Sequence, residues 1–171
     1  MFLSAALMRI ISFFYVALLS LVYAQGSGII VPIGLIPTSL ELNSGWSPLA
    51  FNMTQSPWIP NLFKVSSPVP FAVAYSDAFC PGKMVSIYVN GTLMANSTTV
   101  PQQNGTCTPR ISQPMGTVAF PNLFSHALLN LPQGDHEIAV KVIQSDPQIP
   151  TGIMYLRAVI FPKNSCNKKQ N

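Results

Sequence analysis

The sequence predicts an all-β protein, an antiparallel β-sandwich of jelly-roll type. Beyond residue 28, short apolar runs are interrupted throughout by proline, glycine and asparagine, and the 16 prolines and 10 glycines of the chain leave no room for long helices. Several runs alternate apolar and polar residues with a period of two, most clearly from Glu137 to Gln144. Short alternating runs separated by turn signals are typical of sandwiches.

The first 24 residues predict a secretory signal peptide, which makes the mature protein secreted and extracellular. Arg9 is followed by a charge-free run over residues 10–22, and Tyr23-Ala24 supplies a small-residue cleavage site before Gln25. The alternative is a membrane anchor, because residues 2–24 exceed the roughly 20 apolar residues that span a bilayer. Arg9 shortens the apolar core to thirteen residues, and the segment that follows is polar, so cleavage is favoured.

Cleavage leaves residues 25–162 as one sandwich domain and residues 163–171 as a polar, basic tail, without the hydrophobic end of a glycolipid-anchor signal. Although the whole chain has a net charge of +4, the domain itself is neutral and lacks the clustered cations of a nucleic-acid-binding surface. We therefore expect no nucleic-acid partner and, after cleavage, no membrane partner. The domain has five basic residues, Lys64, Lys83, Arg110, Lys141 and Arg157, and five acidic ones, Glu41, Asp77, Asp135, Glu137 and Asp146.

Nine short strands account for the apolar runs. They are predicted at Ile29–Leu35, Leu40–Leu42, Asn61–Val65, Phe71–Ser76, Met84–Val89, Thr92–Ala95, Phe124–Leu131, Glu137–Gln144 and Met154–Phe161.

Two hairpins are predicted between these strands. Asn90-Gly91 is the favoured dipeptide for a type I′ turn between Met84–Val89 and Thr92–Ala95. Pro132 to Asp135 predicts a second antiparallel pair, between the strand ending at Leu131 and the strand starting at Glu137.

Four N-glycosylation sequons predict that the protein is a glycoprotein. Charged residues make up only 8% of the chain against a typical value of about 25%, so we expect glycans to help keep the surface soluble. The acceptor asparagines are Asn52, Asn90, Asn96 and Asn104.

Three cysteines follow the signal segment. In an oxidising compartment two should pair, and Cys80 with Cys107 is favoured because both lie in the domain while Cys166 lies in the tail. Cys166 is left free, forms a disulfide-linked dimer, or replaces one of the other two as a partner. No cysteine and histidine spacing suits a structural metal.

Four features of residues 71–161 are distinctive together: the stretch Tyr75 to Cys80, the hairpin Ile87 to Gly91, Cys107, and the stretch Leu131 to Ile138. In these features the chain resembles a group of small secreted fungal proteins with a jelly-roll-type sandwich and no established activity. The resemblance implies the fold and a bridge between Cys80 and Cys107. One departure is Lys83, which stands where an acidic residue is expected and weakens any cation-binding role.

Candidate catalytic groups are few. Asp135 and Glu137 share one strand face, as a glycosidase pair would, but charged residues next to a turn more often solvate a strand edge. The two histidines, His126 and His136, are expected at the surface or in loops, and no serine-hydrolase elbow accompanies them. We therefore expect no enzyme activity, no cofactor and no metal, with an extracellular hydrolase as the least favoured alternative.

Asp77 and two tryptophans are the candidate binding residues. Asp77 could bind a hard cation, but a single carboxylate with Lys83 nearby is better explained as a turn cap. Trp46 and Trp58 lie in the proline-rich segment 44–60, outside the predicted strands, and could stack on sugar rings, although most tryptophans close a core. The sequence thus predicts a secreted glycoprotein acting at a wall, matrix or surface, with polysaccharide or a surface glycoprotein as partner, and a carbohydrate-binding module as the alternative.

Overall fold

A computed structural model describes residues 31–111, 114 and 119–160 of the chain. The predicted signal segment, the tail and Cys166 lie outside the described residues. The described part contains nine strands: β1 (Ile36–Ser39), β2 (Ser47–Asn52), β3 (Trp58–Ser67), β4 (Phe71–Asp77), β5 (Met84–Val89), β6 (Thr92–Asn96), β7 (His126–Leu131), β8 (Gly134–Gln144) and β9 (Thr151–Val159). The all-β prediction is confirmed.

The strands form two sheets. One has five strands in the order β1-β3-β8-β5-β6, and the other has four in the order β2-β9-β4-β7. All pairs are antiparallel except β1 with β3, which is parallel. The antiparallel prediction therefore holds for both sheets apart from the edge strand β1.

One hydrophobic core fills the space between the sheets, as in a β-sandwich. In β8 the predicted inward face is confirmed, because Ile138, Val140 and Val142 are buried. On the face predicted to be wet, Glu137 is exposed and Lys141 is half-buried, but Ala139 is buried. The largest completely buried side chains come from both sheets: Tyr75, Phe63, Phe124, Leu49, Ile59, Ile87, Ile138, Met154, Leu156, Val73, Val85 and Val140. Burial of this apolar surface, at roughly 25 cal/mol per Å², is what holds the two sheets together.

Seven of the nine predicted strands overlap observed ones, and two N-terminal predictions are wrong. Residues 31–35 form no strand, because Pro32 and Gly34 interrupt the run and Gly34 adopts a positive φ of 107°. Residues 40–42 contribute only an isolated bridge, from Leu42 to Ala158. The observed strand, β1, lies just before residues 40–42.

The segment 44–60 was predicted as a proline-rich loop, and this is also wrong, since it contains β2 and the start of β3. Prolines are tolerated here because of where they fall. Pro48 lies in β2, which is an edge strand, where proline is tolerated because only one side of the strand pairs with a neighbour. Pro60 lies at the register shift between Trp58 and Leu62, where the ladder to β8 is already interrupted.

The first predicted hairpin is confirmed and the second is wrong. β5 and β6 are joined by Asn90 and Gly91 with φ values of 50° and 80°, both positive as a type I′ turn requires. β7 and β8, in contrast, belong to different sheets, and the residues between them carry the chain across the core. The sequence marked the turn correctly, but a turn alone does not specify which strands pair.

Candidate functional site

The described part of the chain buries one ion pair, between Asp77 and Lys83. Lys83 Nζ lies 2.9 Å from Asp77 Oδ1, and the two side chains are 4% and 0% exposed. Asp77 is the last residue of β4, and Lys83 immediately precedes β5. The pair therefore ties the end of a strand in the four-stranded sheet to the start of a strand in the five-stranded sheet.

The turn between the two residues satisfies both charged groups. The backbone N–H of Ala78 donates to Asp77 Oδ1 at 2.8 Å, and the backbone N–H of Lys83 donates to Asp77 Oδ2 at 3.3 Å. The Lys83 ammonium also donates to the carbonyl of Cys80. Ser125 attaches this turn to the start of β7, because its hydroxyl donates to the Lys83 carbonyl at 2.5 Å. Its own carbonyl accepts from the Asp77 N–H at 2.8 Å.

Desolvation dominates the electrostatics of this cluster. Burial raises the pKa of Asp77 to about 7, and the opposing effect of the Lys83 ammonium is smaller. Burial likewise lowers the pKa of Lys83, against the effect of Asp77. The pKa of the Tyr75 phenol is raised well above its usual range, first by burial and then by the Asp77 carboxylate. Because the ionised forms are held at an energetic cost, neither partner is expected to tolerate loss of the other.

A disulfide between Cys80 and Cys107 closes the same region and confirms the predicted pairing. Beyond the bridge, Phe79 and Ile111 exchange two backbone hydrogen bonds, of 2.5 and 3.0 Å. The Arg110 guanidinium lies 4.0 Å from the centroid of the Phe79 ring. The segment 107–111 is thereby attached to the turn that holds the ion pair.

Asp77 caps its turn through the Ala78 N–H, as the sequence predicted. The Lys83 ammonium lies where a bound cation would have to approach the carboxylate. Sequence reasoning treated Lys83 only as an obstacle to a cation and missed its pairing with Asp77. The sequence did contain a signal for this pairing, because Asp77 and Lys83 are separated by a single turn in a chain with few charged residues. Among the described residues no three His, Cys, Asp or Glu side chains come together as a metal site would need.

Asp135 and Glu137 lie on the outer face of β8, both exposed. Glu137 forms an exposed ion pair with Lys64 of the neighbouring β3, with 3.1 Å between Oε1 and Nζ. Both residues are solvated, as the sequence favoured, but β8 is a central strand of its sheet and not an edge.

The two histidines lie at opposite ends of the sandwich. His126 begins β7 and is exposed, with Nδ1 3.3 Å from the hydroxyl of Thr98. His136 was expected at the surface, but it is only 9% exposed and its ring packs 5.6 Å from that of Phe71. The reason is its phase in β8, since it shares the inward face with Ile138. Its Nε2 lies 3.0 Å from the carbonyl of Pro132, and its buried Nδ1 has no partner among the described atoms.

The structure separates the two candidate sugar-stacking tryptophans. Trp46 directly precedes β2 in the four-stranded sheet, and the guanidinium of Arg157 lies 4.6 Å from its ring centroid. Trp58 is the first residue of β3 in the five-stranded sheet, not in a loop. Its ring centroid lies 5.0 Å from that of Tyr88, and Lys141 Nζ lies 5.6 Å from it. The two rings therefore belong to two different surfaces.

Trp58 also lines a shallow surface cavity of about 270 Å³. Phe51, Gln55 and the sequon residue Asn52 contribute to its walls. A ring beside the Gln55 amide at a concave surface could stack on a sugar and hydrogen-bond to it, provided that Asn52 carries no glycan that fills the cavity.

All four sequon asparagines are at least partly exposed: Asn52 at the end of β2, Asn90 in the β5–β6 turn, Asn96 at the end of β6 and Asn104 in the following loop. Three of them use only the side-chain oxygen. The Asn52 oxygen accepts from the N–H and the hydroxyl of Thr54. The Asn90 oxygen accepts from the Glu137 N–H, and the Asn96 oxygen accepts from the Ser86 hydroxyl. In none of the four does Nδ2, the atom that carries an N-linked glycan, bond to a described residue.

Comparison with protein-family models, with curated proteins and with solved structures finds no match to this chain. Within the described residues, none of the helical structure is long and apolar enough to span a bilayer.

Proposed function

We propose that this chain is a secreted, N-glycosylated β-sandwich that acts outside the cell without catalysing a reaction. The observation that carries the proposal is the state of the four sequon asparagines, which are all at least partly exposed and whose Nδ2 atoms bond to none of the described residues. The disulfide fits the same compartment, because such bridges persist in oxidising surroundings. Placement of the protein at a wall, matrix or cell surface follows from export and from the neutral, charge-poor domain.

The topology we propose is a jelly roll. Its support is the order of the eight strands β2 to β9, which form two four-stranded groups, β2-β9-β4-β7 and β3-β8-β5-β6. Successive strands alternate between the sheets at every step except the β5–β6 hairpin. Double-sheet jelly rolls have eight strands in two Greek keys. We also propose kinship to small secreted fungal sandwich proteins, on the sequence resemblance of residues 71–161.

The test of secretion and glycosylation is an intact-mass measurement on protein collected from the medium of a secreting eukaryotic host. We expect a chain that begins at Gln25 and loses mass on enzymatic removal of N-linked glycans. A non-reducing measurement should also show Cys80 and Cys107 oxidised, and it will report whether Cys166 is free or links two chains. A full-length chain with no glycan mass would overturn the proposal.

A second candidate function is carbohydrate binding, and the cavity beside Trp58 favours it. The partner would then be an extracellular polysaccharide or the glycan of a surface glycoprotein. A polysaccharide and glycan-array screen of the mature protein tests this, with Trp58→Ala as the test variant. Trp46→Ala is the matched control, since Trp46 lies on the other sheet. Retention that Trp58→Ala abolishes and Trp46→Ala preserves would support a lectin-like role, and no retention on any sugar would remove it.

A further inference from the structure

The chain turns back on itself between β2 and β3, beside the cavity that Trp58 lines. Asn52 and Ser56 face each other across an antiparallel bridge, and the Ser56 N–H donates to the Asn52 carbonyl at 3.0 Å. The Trp58 N–H in turn donates to the Ser56 hydroxyl at 3.0 Å. This turn therefore brings the end of β2, where Asn52 lies, to the start of β3, where Trp58 lies.

Asn52 and Trp58 both face outward from the core. Phe51 is buried, so the next residue of β2, Asn52, lies on the opposite face of the strand. Ile59 is completely buried, so its neighbour Trp58 likewise faces outward. Trp58 is only half-buried, although its ring packs against that of Tyr88. Since Asn52 and Trp58 line one cavity, they belong to the same surface.

The separation of the two side chains suits one sugar ring. Trp58 is two residues beyond Ser56, the residue opposite Asn52, so Asn52 and Trp58 are diagonal neighbours. Diagonal neighbours on paired strands lie about 7–8 Å apart, within reach of long side chains. The first sugar of an N-linked glycan is an N-acetylglucosamine bonded to asparagine Nδ2, and its pyranose ring has an apolar face that stacks on aromatic rings. A glycan on Asn52 therefore starts within reach of the Trp58 ring.

The size and the lining of the cavity also suit one neutral sugar. Its volume of about 270 Å³ lies below the roughly 300–1,000 Å³ of pockets for drug-sized ligands, so one sugar fits it better than a length of polysaccharide. The exposed Gln55 amide can hydrogen-bond to the sugar. The described lining residues are all uncharged: Ala50, Phe51, Asn52, Gln55, Ser56, Trp58 and Pro60.

We propose that the N-linked glycan on Asn52 fills this cavity, with its first N-acetylglucosamine stacked on the Trp58 ring. The inference rests on the proposed glycosylation and gives the Asn52 site a structural role. Because the sugar is attached beside the ring, its effective concentration there is on the order of millimolar, and it excludes an external sugar of similar affinity at lower concentration. The cavity then serves the second candidate function only in molecules whose Asn52 carries no glycan.

The experiment measures acrylamide quenching of Trp58 fluorescence, on the mature protein from a secreting eukaryotic host. A Trp46→Phe background makes Trp58 the only tryptophan, and glycopeptide mass spectrometry reports which sequons are occupied. Thr54→Ala removes the Asn52 sequon, and Thr106→Ala, which removes a different sequon, is the matched control. Each protein is measured before and after enzymatic removal of its N-linked glycans, because Thr54→Ala also deletes a hydrogen bond to the Asn52 side chain.

Loss of the Asn52 glycan should raise the quenching constant of Trp58 at least twofold. We expect the enzyme to cause this rise in the parent and in Thr106→Ala, and to cause none in Thr54→Ala, which should already show the high value. In a Trp58→Phe protein, where only Trp46 emits, the enzyme should change nothing, because Trp46 lies beside the other sheet. If Thr54→Ala is not secreted, nuclear Overhauser contacts between the Trp58 indole and the first sugar of the untreated parent provide the second measurement.

Quenching that stays the same when Asn52 loses its glycan would overturn the inference. Retention of the Asn52-glycosylated protein on an external sugar through Trp58 would overturn it too, and would instead support the second candidate function. An unoccupied Asn52 also removes the inference, while glycans on the other sequons leave the proposed function standing. Only the absence of glycans from all four sites removes both proposals.

Discussion

The ammonium of Lys83 and the carboxylate of Asp77 lie 2.9 Å apart in a part of the protein that solvent does not reach. The pair bridges the crossing from β4 to β5, where the chain changes sheets, and the Cys80–Cys107 bridge closes over the same turn. Two long-range constraints therefore meet at one end of the sandwich. The ion pair and the disulfide should each contribute separately to the free energy of unfolding.

Removal of one partner of the ion pair should be strongly destabilising. Lys83→Met leaves the Asp77 carboxyl buried without its counter-ion, so that above its pKa it must either stay charged and unpaired or take up a proton on folding, and at pH 8 we expect the free energy of unfolding to fall by about 3–5 kcal/mol. The double variant Asp77→Leu/Lys83→Met removes both charges and should recover most of that loss. Denaturant unfolding of the wild type and the two variants measures this, and a double variant no more stable than Lys83→Met would contradict it.

The stability of the wild type should depend on pH through Asp77. Burial raises the pKa of Asp77 from 3.8 to about 7, so between these values the folded state holds a proton that the unfolded chain has released. The stability that Asp77 contributes to the folded state is therefore fully present below pH 3.8 and is lost as the pH rises through 7. Melting temperatures measured from pH 4 to pH 8 should fall more for the wild type than for Asp77→Leu/Lys83→Met. Parallel curves for the two proteins would show that Asp77 titrates normally.

Loss of the disulfide should destabilise the protein without changing its fold. The bridge joins residues 27 positions apart, and the chain-entropy model gives about 3–4 kcal/mol for a loop of that length. We expect Cys80→Ala/Cys107→Ala to lower the free energy of unfolding by about that amount while the far-ultraviolet circular dichroism stays that of a β protein. Cys166→Ser is the control, and it should leave the unfolding midpoint of the monomer unchanged.

Local signals in the sequence were sufficient for much of the fold. The Asn90-Gly91 turn was predictable because its backbone requires positive φ at both positions, and β8 because its pattern alternates in and out of one core. Strand pairing was not predictable, because the turn after Leu131 looks the same whether the chain folds back in one sheet or crosses to the other. The strand β2 was missed because proline is a reliable breaker only in central strands.

The candidate site was also predictable from the sequence only in part. The Cys80–Cys107 bridge was predicted, since each cysteine has few possible partners. The burial of Lys83 was not, because a lysine is almost never completely buried unless it is paired, and its pairing depends on the conformation of the turn. His136 was expected at the surface or in a loop because it follows the turn at residues 132–135, although the strand period puts it on the inner face.

The conformation of the β5–β6 turn should depend on the residue at position 90. Asn90 has a φ of 50°, which asparagine and glycine tolerate and which costs other residues about 1–2 kcal/mol, and its side-chain oxygen accepts from the Glu137 N–H at 2.9 Å. Asn90→Ala loses the tolerated conformation and the hydrogen bond, whereas Asn90→Gly keeps the conformation, loses the bond, which is worth about 1 kcal/mol, and adds about 0.5–1 kcal/mol of unfolded-chain entropy. Both are compared in a Thr92→Ala background, where no glycan can be attached, by denaturant unfolding. We expect Asn90→Ala to be the less stable of the two, and an equal loss in both variants would mean that the hydrogen bond alone, and not the left-handed backbone, makes asparagine suitable for this turn.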